Sequence, residues 1–200
     1  KTVPDRLILK DFQHSQPTDD KVNIRAMYES VQDSLSLELT YSLSGDGVLK
    51  VGMVLEVSAN NLPEIPRFGM TVKVIGGMDK VEWFGRGPHE SYWDRKTGTA
   101  IGRYSGSVWD QYHPYVRPQE TGNKTDVRWM AIRDENGEGL MAAGQPLIST
   151  SVHKYDYQDL YFVSKSYRHG RTWIKPKNLI TWNIDLKQMG VGGDNSWGAR

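Results

Sequence analysis

The stretch Leu35 to Val57, LSLELTYSLSGDGVLKVGMVLEV, decides the fold class. Leu35, Leu37, Leu39, Tyr41 and Leu43 alternate with mostly polar residues, the period of two that a half-buried strand requires. Ser44 to Gly47 then supply a turn, after which Leu49, Val51, Met53, Leu55 and Val57 repeat the parity. The two segments therefore read as a long antiparallel hairpin with one buried face.

Outward from this hairpin, Leu7 to Leu9 and Val22 to Met27 read as strands on one side. On the other side Met70, Val72 and Val74 continue the alternation before Val81 to Phe84. Ser58 to Pro66, SANNLPEIP, is a polar, proline-bearing connection between strands or sheets. Gly85 to Lys124 mixes glycine, proline, charge and aromatic residues without a sustained period, and reads as long ordered loops. A second hairpin follows, with Arg128 to Arg133 and Gly139 to Ala143 joined through Asp134, Glu135, Asn136 and Gly137. Leu147 to Val152 is extended, Tyr157 to Ser164 supplies at most one or two helical turns, and Ile180, Trp182, Ile184 and Leu186 alternate as a late strand. The chain contains no internal repeat, and the expectation is an all-β protein built as one domain over residues 1–200.

Composition narrows the function. Two hundred residues with 38% hydrophobic and 24% charged side chains, at a mean hydropathy of −0.60, describe a globular chain able to bury a core. Twenty-five Lys and Arg against 24 Asp and Glu leave a net charge of +1. Such a balance supplies no field for collecting phosphate backbones, so nucleic acid is not an expected partner. No apolar run approaches the roughly 20 residues that cross a bilayer, and a membrane is not an expected partner either. The absence of cysteine removes disulfides, thiol nucleophiles and thiolate metal sites, and leaves cytoplasm and periplasm equally open.

Seven Trp and ten Tyr against four Phe favour rings with a polar handle, which suit sugar surfaces as well as a large sandwich core. Val81 to Arg95, VEWFGRGPHESYWDR, offers His89 and Glu90 as an acid/base pair. Neighbours along an extended chain point opposite ways, however, so a loop whose charges satisfy one another is the stronger reading. Tyr112 to Trp129, YHPYVRPQETGNKTDVRW, carries His113, Arg117, Glu120, Lys124, Asp126 and Arg128, able to bind a sugar or to clamp a neighbouring domain. The five histidines show no helical ligand spacing, which disfavours metal binding. In Met189 to Trp197, MGVGGDNSW, three glycines and the turn-forming Asp194, Asn195 and Ser196 lead to Trp197. That indole either stacks on a sugar, with Asp194 and Asn195 bonding its hydroxyls, or closes a sandwich edge from inside.

Taken in order, IPRFGM (Ile65 to Met70), VEWFGRGPHESYWDR, YHPYVRPQETGNKTDVRW and MGVGGDNSWGAR (Met189 to Arg200) resemble the C-terminal small-chain domain of family 2 glycoside hydrolases, the large bacterial β-galactosidases. The resemblance implies a large two-sheet antiparallel β super-sandwich similar to galactose mutarotases. It also implies that the two glutamates of a retaining mechanism lie in a TIM barrel elsewhere on the polypeptide, so that no catalytic residue is expected here and this chain alone is inactive. By motif position, Trp197 is the residue that would stack on the β-galactoside, with Asp194 and Asn195 beside it. The implied partners are that sugar and the catalytic barrel. The loops around Trp93 and Trp109 offer a further surface for packing or for a homo-oligomer. No cofactor and no metal are expected in this chain, and any Mg or Na of the full enzyme would belong to the barrel.

Two features depart from the family pattern. The Arg-Ala-Pro-Thr-Asp-Asn-like opening is missing, which reads as a trimmed front, and Thr121 follows Glu120 where the family often carries Asn. The rival readings are an independent carbohydrate-binding module and an aldose mutarotase using His113 or His153 with Glu120.

Overall fold

The computed structural model describes residues 7–30, 35–58, 65–115, 119–160 and 174–190. The described residues form two compact units, divided between Glu64 and Ile65. Each is built on one antiparallel sheet, as the all-β reading requires.

The first unit is a four-stranded meander of β1 (Ile8–Thr18), β2 (Lys21–Ser30), β3 (Leu35–Ser44) and β4 (Leu49–Val57). The expected hairpin is present with Leu35 opposite Val57 and Leu43 opposite Leu49. Its turn closes through Ser44, whose N–H donates to the Val48 carbonyl at 3.0 Å, with Gly47 at φ +83°. Register places Phe12, Ala26, Leu39 and Met53 in one row and His14, Ile24, Tyr41 and Val51 in the next. One face of this sheet is therefore apolar. Gln13, Arg25 and Thr40 line the other, where Arg25 donates to Glu38 at 2.6 Å.

The second unit is a six-stranded sheet in the order β5-β10-β9-β8-β6-β7. Its strands are β5 (Arg67–Ile75), β6 (Lys80–Gly87), β7 (Ala100–Ser107), β8 (Lys124–Arg133), β9 (Gly139–His153) and β10 (Leu179–Gln188). The connection read at Ser58 to Pro66 joins β4 of one sheet to β5 of the other, although residues 59–64 lie outside the described set. Alternation sends Val81 and Trp83, Met130 and Ile132, Ile148 and Val152, and Ile180 and Trp182 to one face, where they form the core. Burying a side chain of this size contributes about 2 kcal/mol. Trp182 also satisfies its Nε1–H on Thr150 Oγ1 at 3.0 Å.

Two strand assignments change. Residues 100–107, expected within loops, form β7 at the sheet edge, where AIGRYSGS lacks an apolar period and packs inward chiefly through Tyr104, 5.5 Å from Trp83. The extended pieces at 139–143 and 147–152 are one strand, β9. Its pairing with β8 jumps between Trp129–Ala143 and Val127–Ile148, so the residues between Ala143 and Ile148, Pro146 among them, bulge out and break the sequence period. A helical turn begins at 157–160, as expected, and the rest of that expected segment lies outside the described residues. Among the described residues, no helix is long and apolar enough to cross a membrane.

The face of β9 and β10 opposite the core is polar and yet buried. Ser149, Ser151 and His153 of β9 sit opposite Asp185, Asn183 and Thr181 of β10, and all six are nearly inaccessible. A polar surface removed from water must be satisfied by neighbouring groups. That requirement locates the candidate site.

Candidate functional site

Arg67 opens β5 opposite Gln188, and Asp185 stands three residues earlier on β10. The Arg67 guanidinium reaches Asp185 with Nε 2.9 Å from both carboxylate oxygens and Nη2 2.7 Å from Oδ2, a planar fork on a planar acceptor. Its Nη1 donates to the Tyr157 hydroxyl, which in turn donates to Glu120 Oε2. A relay thus runs Asp185–Arg67–Tyr157–Glu120 across the polar face. Burial works against the Arg67 charge, but Asp185 foremost, then Tyr157 and Glu120, hold the guanidinium protonated. Burial pushes the Glu120 carboxyl up, opposed by Tyr157, Arg67 and the Gln188 amide.

Around Glu120 stand further enclosed groups. His153 stacks on Tyr155 with ring centroids 4.6 Å apart. Burial first, then Lys124 and Arg67, lower the imidazole to about 3, against the Thr121 backbone. His153 is therefore neutral near pH 7. Burial raises the hydroxyl pKa values of Tyr92 and Tyr155, with the Glu120 charge adding to both. The Tyr92 and Tyr155 hydroxyls, Glu120 Oε1 and Gln188 Oε1 are all enclosed without a hydrogen-bond partner among the described residues.

A second cluster fixes the loop of the VEWFGRGPHESYWDR motif. Glu90 accepts hydrogen bonds from Thr121 Oγ1 at 3.0 Å, from the Gly122 N–H at 2.8 Å and from the Tyr115 hydroxyl. It also pairs with Arg95 at 3.2 Å. His89 is exposed, so the two neighbours do not converge as an acid/base pair. Thr121, the departure from the family pattern, also accepts the His113 N–H at 3.0 Å. Ser91 exchanges hydrogen bonds with Asn123 and Thr125, stitching residues 90–95 to the entry of β8.

The remaining polar residues of the long motif are engaged nearby. Lys124 is 2% exposed, its ammonium 4.9 Å from the Trp83 ring centroid, and burial lowers it to about 8. Asp126, at φ +52°, receives Arg86 at 2.6 Å and Lys96 at 3.1 Å. These two cations hold its carboxyl below the usual range although burial opposes them. Arg128 donates to the Asp126 carbonyl at 2.7 Å. Arg117 lies outside the described residues, as do Trp197, Asp194 and Asn195. Of the two expected surface tryptophans, Trp93 is 39% exposed. Trp109 is half-buried, stacked on Tyr112 at 5.4 Å beside Tyr155, Leu160 and Ile174.

What the structure brings together is thus Glu120, His153 and Lys124, with Arg67, Asp185, Tyr92, Tyr155 and Tyr157 as members the sequence reading did not single out. One signal for them exists in the chain, an aspartate set within the apolar alternation of Ile180 to Leu186. Among the described residues, no group of His, Asp and Glu side chains is arranged to hold a metal ion. The described start of the glycine-rich motif is anchored at this site, with the Met189 N–H donating to the Pro66 carbonyl at 3.0 Å.

Comparison with known proteins bears on this arrangement. The family described as β-galactosidase small chain matches residues 5–200. A β-galactosidase of Priestia megaterium is 40% identical over 185 residues, covering 92% of this chain and 17% of that protein. One from Halalkalibacterium halodurans is 33% identical over 173 residues, 85% of this chain and 17% of the relative. Another from Lactobacillus delbrueckii subsp. bulgaricus is 30% identical over 195 residues, 96% of this chain and 18% of the relative. The chain thus spans less than a fifth of the length of these curated relatives. With the family match spanning residues 5–200, this chain belongs to the β-galactosidase small-chain family.

Proposed function

We propose that this chain is the non-catalytic C-terminal domain of a bacterial β-galactosidase, and that it completes the sugar-binding cleft of a catalytic barrel carried by the same polypeptide. The observation that carries this reading is the family match over residues 5–200 combined with relatives named β-galactosidase that are more than five times longer. The carboxylates point the same way. Asp185, Glu90 and Asp126 are held by Arg67, by Arg95 with Thr121 and Gly122, and by Arg86 with Lys96. A retaining glycosidase needs two carboxyl groups facing a shared sugar, and in this reading they belong to the barrel. Trp197 supplies an aromatic platform, and Asp194 and Asn195 supply polar contacts for the galactoside hydroxyls.

The purified chain is expected to leave a chromogenic β-galactoside intact and to show no saturable heat with galactose in calorimetry. A single stacking ring without its barrel partners contributes only about 1 kcal/mol. Hydrolysis by the purified chain that survived Trp197→Ala would overturn the reading, and tight galactose binding would favour an independent binding module. The mutarotase alternative needs His113 or His153 to meet a sugar together with Glu120, and although His113 is exposed, the exposures of 8% for Glu120 and 4% for His153 favour a structural role.

A further inference from the structure

The face of the six-stranded sheet opposite its core changes character along the sheet. At β10 and the end of β9 it is polar and buried, whereas across β7, β6, β8 and the start of β9 it carries large apolar side chains. Phe84 stands opposite Arg103 on β7 and Trp129 on β8, and the neighbouring row sets Glu82 opposite Ala131 and Ala131 opposite Met141. Both rings are half-buried. Met141 is 66% exposed, and Ile101, opposite Arg86 in the next row, is 48% exposed. Single apolar residues scattered over a surface are ordinary, but these four occupy three adjacent rows of one face.

Trp129 reaches this face because β8 breaks its alternation. Val127 and Met130, three residues apart, both enter the core, and the pairing with β9 jumps between Val127–Ile148 and Trp129–Ala143. Arg128 and Trp129 therefore share the outer face, the kind of re-aiming that an irregular register produces. The Arg128 guanidinium lies 5.2 Å from the Phe84 ring centroid, and that of Arg103 lies 5.6 Å from the Trp129 centroid. Arg103 and Arg133 both pair with Glu82, and Arg86 is held by Asp126. With that last pair set aside, Lys80, Arg103, Arg128 and Arg133 face Glu82, four cations to one carboxylate and so a surplus of three. The whole chain has a net charge of only +1.

We infer that the outer face of β6, β7, β8 and the start of β9 is a docking surface for an acidic segment of the longer polypeptide that carries this chain. Arg103 and Arg128 receive its carboxylates, and its apolar side chains rest on Trp129, Phe84 and Met141. The inference rests on the reading of the chain as one domain of a longer β-galactosidase, whose relatives are more than five times its length. Tryptophan, methionine and arginine are the residues enriched where proteins meet, and tryptophan and arginine carry most of the binding energy there. The surplus positive charge selects an acidic partner, and it disfavours a second copy of the same face, which would set like charges against each other.

The test uses the full-length enzyme. Met141→Cys is labelled with a maleimide before and after unfolding in urea, and the peptide containing residue 141 is quantified by mass spectrometry. Native labelling is expected to be at least about tenfold slower than labelling in urea, because a covered thiol is out of reach. Ile101→Cys gives the same readout if Met141→Cys fails to fold. Added to Met141→Cys, Arg103→Glu is expected to speed native labelling by about fivefold or more, whereas Arg103→Lys, which keeps the charge, retains most of the protection. A photo-cross-linker attached at position 141, in enzyme assembled from a mixture of isotopically heavy and light chains, identifies what lies on the face. The expected product is a peptide rich in Asp and Glu from outside residues 1–200 of the same chain. A cross-link to this face of a second chain overturns the inference, as does equal labelling of Arg103→Glu and Arg103→Lys. Rapid native labelling in an enzyme that hydrolyses an aryl β-galactoside overturns the docking surface and leaves the β-galactosidase reading intact. A protected residue 141, cross-linked to its own acidic segment in a polypeptide without that activity, does the reverse.

Discussion

Arg67 and Asp185, 118 residues apart in sequence, form a three-bonded ion pair in which the carboxylate is 1% exposed and the guanidinium 24%. The pair ties the first residue of β5 to β10 at the buried polar face, and through Tyr157 it reaches Glu120.

Removing one member of a buried pair leaves the other charged and unpaired, which costs about 3 kcal/mol or more. Arg67→Met should lower the stability of the chain by about that amount in urea titration. The double variant Arg67→Met, Asp185→Leu should recover a large part of the loss, because no charge is then stranded. Arg67→Lys should not match the parent, since an ammonium cannot supply the planar fork. A single variant as stable as the parent would show that the pair contributes nothing net.

Glu90 and His89 should separate cleanly. Glu90→Ala strands the Gly122 N–H and frees Arg95, and a loss of about 2 kcal/mol is expected from the unsatisfied donors. His89→Ala removes an exposed ring and should stay within about 0.5 kcal/mol. Equal effects in thermal or urea unfolding would contradict the clamp described for Glu90.

Acid stability should be shaped by His153. Its imidazole is lowered to about 3 in the folded chain against about 6.5 when unfolded. Between these values the unfolded state binds more protons, so stability falls as pH drops below about 6.5, by about 2 kcal/mol at pH 5. Glu120, raised by burial, acts in the opposite sense, its contribution being lost as pH rises. His153→Gln should flatten the dependence between pH 6.5 and 5. The slope of stability with pH, measured by urea midpoints, is the readout, and an unchanged slope would show that His153 is charged in the fold.

The strands whose apolar residues alternate were legible because one buried face imposes a period of two, as in Leu35 to Val57. β7 was not, because Gly102 and Gly106 carry no side chain and Tyr104 alone anchors it inward. The bulge around Pro146 hid the length of β9 in the same way, by interrupting the period that pairing resumes beyond it.

For the candidate site, the sequence by itself determined which polar residues travel together in the motifs, including Glu90, Glu120, Lys124 and Asp126, and it carried the family. It also argued against His89 and Glu90 converging as an acid/base pair, because adjacent residues on an extended chain face apart. The tertiary structure alone decided that Arg67 meets Asp185, that Tyr157 bridges to Glu120 and that the Tyr92 ring lies against Gly190. Those contacts join segments up to 118 residues apart. Sheet order and register, rather than local spacing, set which side chains meet, and no periodicity along the chain encodes them.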